Sequence, residues 1–91
     1  MISIIVPLYN KSSVVARTLA SISAQTYTDW EALIMDDAST DDSLQAARKW
    51  IQTSAHPEKF RLIALGKNGG VAGARNRGME EARGRYLAFL D

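Results

Sequence analysis

The stretch ISIIVPL, residues 2–8, is apolar at nearly every position, rich in β-branched residues and halted around Pro7. A strand with no polar alternation leaves no face for water, so it belongs in a sheet covered on both sides. WEALIMD, RLIAL and RYLAFL read as three further strands. From Ser12 or Ser13 to about Gln25, Val15, Leu19 and Ile22 recur at helical spacing, with the serines available as caps. After STDD, in which Ser39 and Asp42 have the spacing of a capping box, Leu44, Ala47 and Ile51 mark a second helix. AHPEKF breaks the pattern, and alanine-rich Val71 to about Arg83 forms a third helix with Gly84 as its C-cap.

The order is βαβαβαβ, with connections long enough to hold helices. It predicts a Rossmann-like α/β fold: a mainly parallel sheet, right-handed crossovers and helices on both faces. The 91 residues allow one domain, residues 1–91; at that size folding buries a little over ~60% of the unfolded chain's surface. Hydrophobic content of 46% with 23% charged residues is a globular composition. A strand order of 3-2-1-4 would leave the fourth strand as a bare edge, so self-association through RYLAFL is expected.

The sequence has no cysteine, which excludes disulfides, thiolate metal sites and a cysteine nucleophile and fits a reducing compartment. No apolar run approaches the ~20 residues of a membrane helix, and there is no basic leader before an apolar signal core. A cytoplasmic location is therefore expected. The net charge of +1 gives no case for nucleic acid. Its distribution is uneven: residues 29–42 hold Asp29, Glu31, Asp36, Asp37, Asp41 and Asp42 without a base, whereas residues 61–85 are rich in arginine. Most of this charge reads as solvated surface, but a fold joining the two segments at one edge would offer acids and bases to one ligand.

In such sheets ligands bind beyond the carboxyl ends of the strands. That directs attention to Pro7–Asn10, Asp36–Ala38, Gly66–Gly70 and Asp91. PLYNKSS lacks the glycines of a dinucleotide loop, and GKNGG matches neither the Walker pattern nor G-x-G-x-x-G. Pro7 and Tyr9 offer a rigid turn and an aromatic face suited to a planar base or ribose, or Tyr9 simply packs. Asp36 and Asp37 should point in opposite directions, one supporting the turn and the other facing the cleft; Asp37 can accept from a base or ribose, or both can merely begin the turn. Free N–H groups of the third helix and Arg75 could engage a diphosphate, or Arg75 lies outside and pairs with glutamates a turn away. His56, Trp30 and Trp50 are assigned no role.

Five linked motifs occur in order: P-x-Y-N, S-x-x-x-Q-T-Y, D-D-x-S-T-D, N-x-G-x-x-x-A-R-N-x-G and G-x-Y-L-x-F-L-D. As a set they make the whole chain resemble the N-terminal, nucleotide-sugar-binding part of family 2 glycosyltransferases of the GT-A fold. The resemblance implies that Pro7 and Tyr9 flank the nucleoside, Asp37 accepts from the base and Arg75 lies close to the nucleotide. It also implies that Asp91 is the first acid of a D-x-D motif engaging ribose and, in part, a divalent metal, Mg²⁺ or Mn²⁺. The second acid and the catalytic base would lie in a longer enzyme, leaving these residues inactive alone.

The donor would be a nucleotide-diphospho-sugar, a UDP-sugar foremost, and the acceptor a glycan or lipid-linked molecule, in polysaccharide or cell-surface glycan synthesis. Transfer would invert the anomeric centre, and the complete enzyme could work at the inner face of the membrane. The rival readings are a non-catalytic interaction module on the same scaffold and a receiver-like signalling domain. A receiver needs an acidic pair after strand one and an aspartate after strand three, where this chain has PLYN and GKNGG. A nucleotidyltransferase would need a glycine-rich first loop.

Overall fold

The structure, a computed structural model, describes residues 1–90. Four strands, β1 (Ile2–Leu8), β2 (Trp30–Asp36), β3 (Phe60–Ala64) and β4 (Tyr86–Phe89), alternate with α1 (Val15–Ser23), α2 (Ser43–Thr53) and α3 (Gly70–Glu81). A short 3₁₀ turn, Pro57–Lys59, leads into β3. All pairings are parallel and the order is β3-β2-β1-β4. The α/β architecture and the exposed position of β4 are as the sequence predicts.

The pleat divides β1 and β2 between two cores. Ile4, Val6, Leu8, Ala32 and Ile34 pack with Val15, Leu19 and Ile22 of α1 and Ala47 and Ile51 of α2. Ile5, Leu33 and Met35 face the other way, against Ala74 of α3. The non-alternating sequence of β2 thus has its cause: every residue from Trp30 to Asp36 is buried. Pro7 is tolerated in a central strand because of its place in the ladder. Leu8 accepts from Asp37 on the β2 side and Ile5 from Leu90 on the β4 side. Alternation therefore turns the Pro7 nitrogen toward β4, past the last β1–β4 pair, Ile5 with Phe89.

Three local expectations are corrected. Helix α1 begins at Val15 with no side-chain cap from a serine; the Lys11 carbonyl instead accepts from the Val14 and Val15 N–H groups. The Ser39–Asp42 capping box does not form. Asp41 accepts from both the backbone N–H (2.9 Å) and the hydroxyl of Ser43, while the Ser39 hydroxyl accepts from Asn10. Helix α3 ends at Glu81 with Ala82 extended, so Gly84 is not its C-cap.

Gly84 is required for another reason: a Cβ there would lie 2.7 Å from the Ser3 backbone nitrogen and 2.8 Å from the Met1 carbonyl oxygen. The close approach lets the Gly84 N–H donate to the Ser3 hydroxyl at 2.7 Å, while Ser3 donates to Glu31 at 2.6 Å. This cluster closes the N-terminal end of the sheet. The opposite end stays open.

Candidate functional site

At the carboxyl ends of β1 and β2 the chain runs one residue past the last paired residues, Leu8 and Asp36, and places Tyr9 and Asp37 side by side. Asp36 and Asp37 point to opposite faces, as expected. Asp36 shares the α1–α2 face with Ile34, and its Oδ2 accepts from the Ser39 N–H at 3.4 Å. Asp37 faces α3. Both carboxylates are buried, Asp37 with 4% of its surface exposed.

The Asp37 carboxylate accepts from the N–H groups of Gly69 at 2.7 Å and Gly70 at 2.9 Å. Gly70 opens α3 with φ +81°, a conformation that a side chain would strain. An anion at a helix N-terminus is favourable, and here the protein supplies its own. Of the N–H groups at the start of the third helix, those of Gly69, just before it, and Gly70, its first residue, are thus donated to Asp37. A carboxylate retains further acceptor positions after taking two hydrogen bonds, so Asp37 can still accept from a ligand.

Pro7, Leu8, Tyr9, Lys11, Asp37, Val71 and Ala74 line a cleft of about 390 Å³, within the ~300–1,000 Å³ typical of small-molecule sites. Its walls offer a proline ring, a Tyr9 ring 41% exposed, an ammonium and a carboxylate. A smaller recess of about 120 Å³, lined by Val6 to Leu8, Lys11 and the start of α1, contains neither an aromatic ring nor a carboxylate.

Arg75 follows Ala74 on α3, half-buried, with its guanidinium carbon 5.7 Å from the centroid of the Phe89 ring. The arginine seen paired with a glutamate one turn on is Arg77, whose Nε lies 3.4 Å from Glu81. The sheet thus gathers Pro7, Tyr9 and Asp37 around one cleft and sets Arg75 beside β4. Asp91, the fifth expected site residue, lies outside the described residues. Among the described residues no group of three or more His, Cys, Asp or Glu side chains could hold a metal ion.

Two contributors escaped the sequence reading. Lys11 lines the cleft, and nothing in its spacing signals that. Asn10 does carry a signal, as the polar residue closing P-x-Y-N, but its partners are some thirty residues away.

Residues 3–91 match the family model for glycosyl transferase family 2. The chain belongs to that family. This family 2 chain is 36% identical over 91 residues to the putative teichuronic acid biosynthesis glycosyltransferase TuaG of Bacillus subtilis, spanning all of this chain and 35% of the relative. It is 34% identical over 91 residues to WfgD of Escherichia coli, named as a UDP-Glc:α-D-GlcNAc-diphosphoundecaprenol β-1,3-glucosyltransferase, again over the whole chain and 34% of the relative. The family 2 chain therefore spans about a third of the length of these curated relatives.

Among solved structures, the mannosyltransferase PcManGT of Pyrobaculum calidifontis, in complex with GDP-Man and Mn²⁺, superposes with a TM-score of 0.88 at 30% identity. That match covers 94% of this chain and 25% of PcManGT. TarS of S. aureus, residues 1–349 in complex with UDP, gives 0.86 at 30% identity over 99% of this chain and 26% of that one. The architecture is that of GT-A-fold glycosyltransferases, and family membership sets the receiver-like reading aside.

Proposed function

We propose that this chain is the nucleotide-binding part of an inverting glycosyltransferase that moves a sugar from a nucleoside-diphospho-sugar to a glycan or lipid-linked acceptor in cell-surface polysaccharide synthesis. The observation that carries the proposal is the cleft itself: Tyr9 and Asp37 meet beside α3 at the open end of the sheet, in a chain whose structural neighbours were solved with GDP-Man and with UDP.

On this reading the base enters between Pro7, Tyr9 and Asp37, the ring of Tyr9 stacking and Asp37 accepting a base or ribose proton. The acceptor hydroxyl gives its proton to a base supplied by the rest of the enzyme as its oxygen bonds to the anomeric carbon; the bond to the diphosphate oxygen breaks, and negative charge builds on the leaving group. On the same reading Arg75 offsets that charge, since a guanidinium can engage phosphate oxygens in a fixed fork. Asp91 keeps its proposed role toward ribose and a divalent ion, Mg²⁺ or Mn²⁺. The described residues do not by themselves make up a metal site. Action at the cytoplasmic face of the membrane belongs to the same proposal. No helix among the described residues is long and apolar enough to cross a membrane.

Titration with UDP, GDP and dTDP, with and without Mn²⁺, while following backbone amide shifts, tests the reading. Shifts should concentrate at Tyr9, Asp37 and Arg75. Silence at all three at millimolar ligand would overturn it.

A further inference from the structure

The ladder between β1 and β2 ends with Leu8 opposite Asp36 and with the Asp37 N–H donating to the Leu8 carbonyl at 2.8 Å, so the sheet holds the Asp37 backbone but not Tyr9. Both loops then turn through a left-handed residue that is not glycine: Asn10 with φ +49° and Ala38 with φ +57°. Such a backbone is uncommon for side-chain-bearing residues, and asparagine tolerates it better than most.

Side chains of both loops lace them together, and Asn10 makes the most of these bonds. Asn10 Oδ1 accepts from the Thr40 N–H at 2.8 Å and from the Asp41 N–H at 3.3 Å, and Nδ2 donates to the Thr40 hydroxyl oxygen at 3.1 Å. The Asn10 N–H donates to the Ser39 hydroxyl oxygen at 3.1 Å, and the next N–H, of Lys11, donates to that of Ser43 at 2.7 Å. Asp37 in turn is held from the other side by Gly69 and Gly70. Asn10, with the N–H groups of Lys11 and Ser12 that follow it, therefore ties the Tyr9 loop to the Asp37 loop at a point where the sheet no longer holds Tyr9.

We propose that Asn10 is a positioning residue of the nucleotide site, holding Tyr9 at the spacing from Asp37 that admits a nucleobase. The inference rests on the reading of the cleft as a nucleotide site and assigns Asn10 no contact with the ligand. It accounts for two of the sequence motifs at once, since the asparagine of P-x-Y-N binds the Ser-Thr-Asp of D-D-x-S-T-D.

A double-mutant cycle tests it. Asn10→Gly keeps the left-handed turn accessible and removes only the side-chain bonds, so the chain should remain folded by circular dichroism. In the otherwise unaltered chain this variant should weaken UDP binding about fivefold, the equivalent of one lost hydrogen bond. In a Tyr9→Ala background the same change should cost almost nothing, because Asn10 acts through Tyr9. An equal cost in both backgrounds, or no cost in either, overturns the proposal.

A second measurement needs no ligand. In Asn10→Gly the Thr40 amide should exchange faster with solvent and the NMR order parameter of the Tyr9 amide should fall; an unchanged Tyr9 order parameter also overturns the proposal. Failure of the unaltered chain to bind any of UDP, GDP and dTDP would sink the nucleotide reading, while the ligand-free measurement would still decide whether Asn10 holds Tyr9.

Discussion

The carboxylate of Glu31, in β2, accepts a 2.6 Å hydrogen bond from the backbone N–H of Arg83, in the connection that leads α3 into β4. The same Oε2 receives the Ser3 hydroxyl at 2.6 Å, and Arg61 lies 3.6 Å from Oε1 while also donating to the Glu81 carbonyl at 2.7 Å. One buried carboxylate thus ties β1, β2 and β3 to the turn that launches β4.

Burial works to raise the Glu31 pKa, but the Ser3 and Arg83 hydrogen bonds and the charges of Arg61 and Arg83 together hold it below the ordinary glutamate value. A carboxylate with a depressed folded-state pKa stabilises the fold above its unfolded value and loses that contribution as pH falls through the folded value. Thermal unfolding followed from pH 7 downward should show the midpoint falling more steeply below about pH 4.3, the unperturbed glutamate value, than in Glu31→Gln. Parallel curves for the two proteins would refute this. At neutral pH Glu31→Gln should cost about 1.5–3 kcal/mol, the range for a hydrogen bond to a charged group.

Gly78 of α3 packs against Ile5, and an added Cβ would lie 2.5 Å from Ile5 Cγ2. Alanine would gain up to about 1 kcal/mol of helix propensity. Overpacking against Ile5, which is fully buried, costs about 1–3 kcal/mol, so Gly78→Ala should be destabilising on balance in urea unfolding. Gly84→Ala should be worse, because the atoms it meets are backbone.

Asp37→Ala should weaken nucleotide binding more than Asp41→Ala, since only Asp37 both lines the cleft and anchors the start of α3. Losing the bonds that the Gly69 and Gly70 N–H groups donate to it should also cost about 1 kcal/mol of stability. Calorimetric titration of both variants checks the first point and denaturant unfolding the second. Equal effects would mean that the acidic cluster as a whole, rather than one acceptor, is at work.

At the far edge of the sheet, Tyr86, Leu87 and Phe89 of β4 are exposed, at 63%, 44% and 45%. Because among the described residues β4 pairs with β1 alone, the backbone groups on its other side meet no strand there. We expect concentration-dependent self-association of this chain in sedimentation velocity, reduced by Leu87→Lys, since a charge on an edge strand opposes pairing. A monomer at every concentration would contradict the expectation.

Sequence alone determined the alternation of strands and helices, their parallel arrangement and the carboxyl edge as the place for a ligand. These follow from local properties: the unbroken apolar run of β1, the helical spacing of Val15, Leu19 and Ile22, and the length of the connections. Linked motifs likewise singled out Pro7, Tyr9, Asp37 and Arg75. Only the tertiary structure decided what those residues touch. Ser39 and Asp42 have the spacing of a capping box, yet the Ser39 hydroxyl is used by Asn10. Gly84 follows a helix like a C-cap but is there because Ser3 lies against it. Asp37 could have faced a ligand alone and instead also binds the first turn of α3. In each case the competing partner is distant along the chain. Local spacing shows which bonds a side chain can make with its own segment; the packed sheet decides whether a remote donor, already held in place, makes a better one.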